Sequence, residues 1–496
     1  MKAILFIYVM VLVFSGCSLV TNNGSLKNSR PNIILVMTDD QGMGDLSCMG
    51  NQILKTPQID KFYKNSTRFT DFHVSPTCAP TRSAMMSGRR PFEVGVTHTI
   101  FQRERMALDV FTFPQALQSA GYETGIFGKW HLGDEEAYLP TNRGFEEVLI
   151  HGAGGIGQTQ YGDFPPNENN VYFDNILLHN DKIVKTKGFC TDLFFDAALA
   201  WIKKQNESED PYFAYIALNA PHGPMVAPEQ YKKRFLEAGY DEKTAGRYGM
   251  IENIDDNFGE LMLKLEQWNA LENTLVIFMT DNGMSMPMIT HNGEKEKPYN
   301  ANLRGGKNSP FEGGTHVPAF WYWKGILGND VDINALTAHI DLYKTFCELA
   351  GAKLPEKMQE LSGRSLLPLL KNPEAEWPDR ELYVHCGRWK PEERESQRYV
   401  KCAVRTQQWR FDNNEQLFDI SKDPFETNDV AAQNPEVVSE LNKAFDNWWE
   451  AVLPFMVNEG LPTVKPEDQP LAKRYYKQLE SEEIPEYIPL SEKIMQ

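Results

Sequence analysis

The chain has 496 residues, 41% hydrophobic and 24% charged. That length holds one large domain with a smaller one, or three of about 150 residues. The composition is globular and excludes a disordered chain, a collagen-like repeat and a polytopic membrane protein. Fifty Lys and Arg against 68 Asp and Glu leave a net charge of -18. Nucleic acid and anionic lipid are thereby excluded as partners, because binding phosphate draws on a positive excess. An anionic small substrate would need a local cationic pocket working against the global field.

In chain order, Lys2 precedes an apolar run over 3–14 and then Ser15-Gly16-Cys17. As a helix that run reaches roughly 18 Å, short of the ~30 Å hydrocarbon core, so it reads as the h-region of a secretory signal. Small residues followed by cysteine resemble a lipobox. The expected organisation is a lipoprotein signal peptide over 1–17 and a polar tether over 18–30, an ordinary secretory signal being the alternative. The chain would then sit in the periplasm or cell envelope and touch membrane only through a lipid on Cys17. Short apolar runs at 33–37, 212–218 and 275–279 predict strands buried on both faces, and 192–204, 248–268 and 341–350 predict helices. The alternation predicts a catalytic α/β domain over 31–375, its mostly parallel sheet sandwiched by helices.

Pro355, Pro368, Pro373 and Pro378 then punctuate a linker. Runs at 382–386, 399–405 and 409–411 predict a small antiparallel sheet, and Val437, Leu441, Phe445, Trp448 and Val452 recur at helical spacing. Residues 376–496 are thus expected to form a small C-terminal α+β subdomain. Seven cysteines occur without a CxxC, so neither a zinc ribbon nor a disulfide scaffold is encoded. Cys386 and Cys402 fall in neighbouring expected strands and are either a disulfide or two buried thiols.

The chemistry lies where the strands end. The first runs into Asp39-Asp40, that at 275–279 into Asp281-Asn282-Gly283, and that at 212–218 into Asn219-Ala220-Pro221-His222. Residues 125–128 lead to Lys129-Trp130-His131, where an extended chain would put Lys129 and His131 on one face. In open α/β sheets ligands bind outside the carboxyl ends of strands, so these groups are expected to line one crevice. Asp39, Asp40, Asp281 and Asn282 offer only oxygen ligands, which suits a hard cation, Ca²⁺ or Mg²⁺. In the segment over 75–88, Pro80 fits the first turn of a helix that Gly88 closes. Cys78 would lie at its positive end, as a redox thiol or a buried one.

Cys78-Ala79-Pro80-Thr81-Arg82 resembles the C-x-P-x-R sequence of the formylglycine-dependent sulfatases of the alkaline-phosphatase-like superfamily. The likeness extends over nearly the whole mature chain: 31–44 (PNIILVMTDDQGMG), 128–133 (GKWHLG), 220–224 (APHGP), 280–283 (TDNG), 303–307 (LRGGK), 312–318 (EGGTHVP) and 417–424 (LFDISKDP). Thr81 stands where Ser is commonest, and His316 where the family usually carries Arg. The resemblance implies the alkaline-phosphatase-like fold and a formylglycine (3-oxoalanine) made from Cys78 by a maturase. Ca²⁺, more than Mg²⁺, would be held by Asp39, Asp40, Asp281, Asn282 and an oxygen of modified Cys78. Arg82 and Lys129 would hold the hydrated aldehyde, His131 would act as base, and His222 and Lys307 would contact the sulfate and the leaving oxygen, His222 as general acid.

The implied activity is hydrolysis of sulfate esters on carbohydrate, from the chain end, with 4-O-sulfated galactose or N-acetylgalactosamine preferred. Specificity is expected in the segments over 95–106 and 151–161, with Arg103, Arg105 and His151 reaching the sugar. Residues 152–157 match GxGxxG, but Pro165-Pro166 breaks any following helix, so a flexible loop at the crevice rim is expected rather than a dinucleotide site. The alternatives are a phosphatase or phosphodiesterase of the same superfamily, which would favour Ser or Thr and two zinc ions, and a non-catalytic glycan-binding lipoprotein.

Overall fold

A computed structural model describes residues 25–165, 172–390 and 392–489. Signal peptide, lipobox and residues 18–24 of the tether lie outside these. Residues 26–30 do not hang free: the Asn28 and Arg30 amides donate to the Glu348 and Leu349 carbonyls (2.9 and 3.0 Å), and Leu26 packs on the core.

Ten strands form one sheet in the order Val331–Ile333, Thr67–Phe69, Ala319–Tyr322, Thr274–Thr280, Asn32–Thr38, Tyr212–Ala217, Glu123–Lys129, Glu147–His151, Ile176–His179, Lys182–Lys185. The five from Thr274–Thr280 to Glu147–His151 are mutually parallel. Antiparallel strands flank them on both sides. The central strand shows why its run is uninterruptedly apolar. Ile33, Leu35 and Met37 face a core shared with the helices Cys78–Ser87, Phe113–Ser119 and Asp341–Ala350. Ile34 and Val36 face a second core under Pro57–Lys64, Cys190–Gln205 and Glu242–Gln267. With both faces covered, alternation has no solvent side to report.

The helix expected from residue 248 begins earlier, at Glu242, because the Asp241 side chain caps it by accepting from the Thr244 amide at 2.8 Å. The C-terminal region forms a four-stranded antiparallel sheet of Leu382–His385, Cys402–Arg405, Trp409–Asp412 and Gln416–Asp419. The helix Pro435–Val452 lies on it through Leu441, Phe445, Trp448, Trp449 and Val452. The fourth strand, carrying the LFD of 417–419, adds to the three expected from the sequence. Cys386 and Cys402 are both free and buried. The chain then returns to the large domain: Leu471 of the helix Pro470–Ser481 enters its core, and Lys185 bridges to Glu486. Among the described residues no helix is long and apolar enough to cross a membrane.

Candidate active site

The parallel register brings the expected residues to one edge. Thr38 pairs with Thr280, Met37 with Ala217 and Gly128 with Ala217, so the residues that follow these strands emerge side by side. Asp40 adopts φ 66° and His131 φ 63°, left-handed conformations that cost a non-glycine residue energy and cluster at functional sites. For His131 this corrects the extended-chain expectation. The strand ends at Lys129, and the chain turns before delivering the imidazole.

The helix Cys78–Ser87 is wholly buried and ends, as its sequence predicts, on left-handed Gly88 (φ 65°). Cys78, its first residue, places Sγ with carboxylate oxygens of Asp39 and Asp281, all three ligand atoms lying within 4.8 Å of one another. Arg82, one turn on, donates to Asp281 Oδ2 from Nη2 and Nε (2.8 and 3.2 Å) and to the Lys129 carbonyl from Nη1 at 3.0 Å. Lys129 Nζ pairs with Asp39 Oδ2 and Lys307 Nζ with Asp40 Oδ1, each at 2.6 Å. Asn282 Nδ2 donates to Asp40 Oδ1 at 2.9 Å.

Three carboxylates thus face three cations, and a divalent ion would give the site the positive excess that the acidic chain otherwise lacks. The state of the carboxylates fits such an ion. Burial pushes Asp39 up to about 6 despite Lys129, and burial with the Asp39 charge pushes Asp281 up to about 6 despite Arg82. Burial would also raise Asp40, but Lys307 and His222 outweigh it and hold it well below the usual range. Among the described residues Asp39 Oδ1 and Asn282 Oδ1 are buried without hydrogen-bond partners, as are both amide atoms of Gln41. Buried polar atoms are rarely left so unless a ligand completes them. Apart from Cys78 Sγ the donors around this point are oxygens, which fit a hard cation such as Ca²⁺. Burial raises the Cys78 thiol, yet Lys129 and Lys307 bring it below its usual value, so the position favours anionic character.

The histidines are set by their partners. His131 Nε2 donates to the Thr99 carbonyl at 2.8 Å, which leaves Nδ1 buried, unpartnered and carrying the lone pair. Burial and then Lys129 hold its pKa well below 6.5, so that lone pair is free at neutral pH. His222 Nδ1 donates to the Gly223 carbonyl at 2.8 Å, and Nε2 lies 3.8 Å from Asp40 Oδ2. His151, in register with Lys129, is buried, with Nδ1 donating to the Gly152 carbonyl at 2.7 Å.

Residues 152–156 are buried and Gly157 is exposed, and the segment is pinned by hydrogen bonds, which corrects the expectation of a flexible rim. Asp163 accepts from the Gly152 and Gly157 amides (3.1 and 2.7 Å), and Asp134 from Ala153 (3.0 Å). A Cβ on Gly154 would lie 2.5 Å from the His131 ring, so only glycine lets the backbone close on it.

Two other expectations are corrected. Arg103 is buried in an ion pair with Glu459 at 2.7 Å and donates to the Trp389 carbonyl at 2.6 Å. Arg105 pairs with Glu135. Neither guanidinium is a free fork for sugar. The His316 position keeps an ion pair despite lacking arginine, with Nδ1 3.3 Å from Glu312 Oε2. A second cluster, His73, Glu312 and His316, is already occupied by Arg405 and Arg410, which pair with Glu312 Oε1 at 3.0 and 2.8 Å. Sequence reasoning misses Gln41, whose only signal is its place directly after Asp39-Asp40. It also misses Arg247, which donates to the Asp40 carbonyl at 2.9 Å and pairs with Asp45 at 2.5 Å.

A mixed sheet gathering three acids, two lysines, an arginine and two histidines around the buried helix Cys78–Ser87 is the alkaline-phosphatase-like framework of ester hydrolases. The chain belongs to the sulfatase family of sulfuric ester hydrolases, whose family model matches residues 31–352. A second model, N-sulphoglucosamine sulphohydrolase, C-terminal, matches 307–450.

Among curated proteins it is 29% identical over 369 residues to N-acetylgalactosamine-6-sulfatase of Rattus norvegicus, covering 68% of this chain and 66% of that one. It is 31% identical over 372 residues to arylsulfatase A of Homo sapiens, covering 68% of each. The alignments thus span about two thirds of those relatives. The solved structure of Ps i-CgsB in complex with k-i-k-neocarrahexaose superposes with TM-score 0.74 at 28% identity, covering 91% of this chain and 98% of that one.

Proposed function

We propose that this protein hydrolyses O-sulfate esters on carbohydrate by way of a formylglycine made from Cys78, with Ca²⁺ held by Asp39, Asp40, Asp281 and Asn282. The observation that carries the reading is Cys78 itself. It opens a buried helix in the C-A-P-T-R context, between two lysines and against two carboxylates. Its Sγ stands in for an oxygen of the modified side chain. Hydrated formylglycine would supply a geminal diol, one hydroxyl displacing the sugar oxygen from sulfur and the other, on losing its proton, expelling sulfate and restoring the aldehyde, while the cation would lower the pKa of the attacking hydroxyl. Asp281, braced by Arg82, and Asn282 Oδ1 would complete the cation's oxygen ligands. His131 Nδ1, which has no hydrogen-bond partner among the described residues, would take up the diol proton. His222 keeps its Nδ1 proton on the Gly223 carbonyl, so delivering a proton from Nε2 to the departing sugar oxygen would draw on the imidazolium form, which burial disfavours and Asp40 supports. Lys129 and Lys307 set positive charge against the sulfate oxygens.

Relatives named for N-acetylgalactosamine sulfate and a neighbour crystallised with an oligosaccharide support a glycan substrate. Within that class we infer exo action on a galactose or N-acetylgalactosamine unit with sulfate at O4; position 6 is the competitor raised by the N-acetylgalactosamine-6-sulfatase relatives. A maturase is the one protein partner, and a lipid on Cys17 would hold the enzyme at the cell envelope. The test is to express the chain with a maturase, assay sulfate against phosphate release from 4-O- and 6-O-substituted sugars, and weigh the Cys78 peptide. Sulfate release with a peptide mass lower by the change from thiol to aldehyde is expected. Phosphate release, or activity with an unmodified thiol, overturns the reading.

A further inference from the structure

The crevice wall beside His131 carries features that the sulfate chemistry does not use. The turn at 97–105 is strained at its tip, where Phe101 and Gln102 both adopt left-handed backbone (φ 64° and 62°). Neither is a glycine, so the conformation costs energy that the surroundings must supply. They do so from the C-terminal region. Asn458 donates to the Gly95 and Arg105 carbonyls (3.0 and 2.9 Å), Glu459 accepts from Thr97 Oγ1 at 2.7 Å and pairs with Arg103, and a Cβ on Gly387 would meet the Thr97 carbonyl at 2.0 Å. This is the structural use of Arg103.

All this bracing presents an apolar ring to water. Phe101 is 41% exposed, and its ring stands edge-on to Tyr161 at 5.9 Å and to His98 at 5.6 Å. His98 Nδ1 accepts from the Thr99 and Ile100 amides (2.8 and 3.2 Å), so its proton sits on Nε2 as a donor. The platform adjoins the catalytic residues. Thr99 accepts from His131, and Tyr161 and His131 line the same small recess. At its edge Arg388 donates to Thr99 Oγ1 at 2.7 Å, while its buried Nε has no hydrogen-bond partner among the described residues. Among the described residues it makes no ion pair.

We propose that Phe101, braced edge-on by His98 and Tyr161, is the stacking platform for a pyranose of the sulfated glycan, and that Arg388 binds an anionic group, sulfate or carboxylate, on that unit or its neighbour. The proposal rests on the glycan reading above and names its sugar subsite, replacing Arg103 and Arg105. A galacto-configured ring suits the platform. Its axial O4 leaves H3, H4 and H5 on one face, an apolar patch for an aromatic ring, and directs O4 away from that patch. An unpaired guanidinium offers the anion a planar fork.

The test uses the full chain with Phe101→Ala, Phe101→Tyr, Arg388→Gln and the wild type. Kinetics on a sulfated oligosaccharide are run beside calorimetric binding of the same oligosaccharide to protein made without maturase. Phe101→Ala should lower kcat/KM about tenfold, or ~1.4 kcal/mol, with the loss in KM rather than kcat. Phe101→Tyr should restore it, and Arg388→Gln should weaken binding and flatten its salt dependence. Unchanged affinity in Phe101→Ala overturns the platform, and so does a fall confined to kcat, which would make these residues supports of the catalytic centre. A thermal melt identifies a variant that fails to fold, in which case Phe101→Leu takes its place, with the same loss of affinity expected. Wild-type protein that binds the oligosaccharide but releases no sulfate would leave the platform standing and sink the hydrolase reading instead.

Discussion

Arg82 shows how far a single residue is committed. Its guanidinium is completely buried, and Asp281 is its only carboxylate partner among the described residues. A buried ion pair contributes little net, but removing one partner leaves an uncompensated charge in low dielectric, at a cost of about 3–5 kcal/mol. Asp281→Ala should lose stability of that order in urea unfolding; a loss below ~1 kcal/mol would mean that water or another group reaches Arg82. At this scale the sequence is legible where chemistry clusters along the chain. Asp39-Asp40, Asp281-Asn282 and Cys78–Arg82 are short runs directly after strands or opening a helix, and they converge. Arg103 and Arg105 mislead for the opposite reason. Their partners, Glu459 and Glu135, lie far along the chain, so a local view makes paired arginines look free. Gln41, Arg247 and the unpaired Arg388 become visible only once burial and partners are known.

The loop at 152–157 is an element whose strength depends on protons. Asp163 is buried and Glu104 and Asp134 half-buried around it, and desolvation raises all three to about 7. Such groups keep their proton in the folded state over a range where the unfolded chain releases it. Their contribution is therefore fully present below about pH 4 and lost as pH rises through about 7. Urea unfolding from about pH 4 to about pH 8 should show stability falling over that window, and Glu104→Gln should remove one group's share of the slope; an unchanged slope would place the titration elsewhere. The same loop makes a steric prediction. Gly154→Ala puts a methyl 2.5 Å from the His131 ring, so kcat should drop by about tenfold or more as the imidazole is displaced. Wild-type kcat in that variant would show that the loop can yield. Strands buried on both faces are legible as elements because their apolar runs are continuous. The strand Gln416–Asp419 is not, because it is only four residues long and mixes polar ends with two apolar residues. Its partner across the reversal at 413–415 is what makes it a strand.

For the whole molecule, the question is what fixes the C-terminal sheet to the catalytic domain. Glu312 is fully buried at the junction, with Arg405 and Arg410 from that sheet on Oε1 and His316 on Oε2. His73, Asp71 and the Thr70 carbonyl complete the surroundings of His316, with His73 stacked on it at 5.2 Å. Burial alone would lower the His316 pKa, but Glu312 and Asp71 outweigh it and the net shift is upward. The stabilisation from its proton is therefore complete below the unfolded value near 6.5 and lost as pH rises through the raised folded value. An arginine, the residue that the family resemblance leads one to expect here, would keep its charge throughout. His316→Arg should thus match the wild type in thermal unfolding at about pH 6 and exceed it progressively on the alkaline side, the difference isolating this one position from tyrosines and thiols that titrate in both proteins. Parallel pH profiles for the two would show that His316 is not charged in the folded protein, and that the junction is held by Arg405 and Arg410 alone.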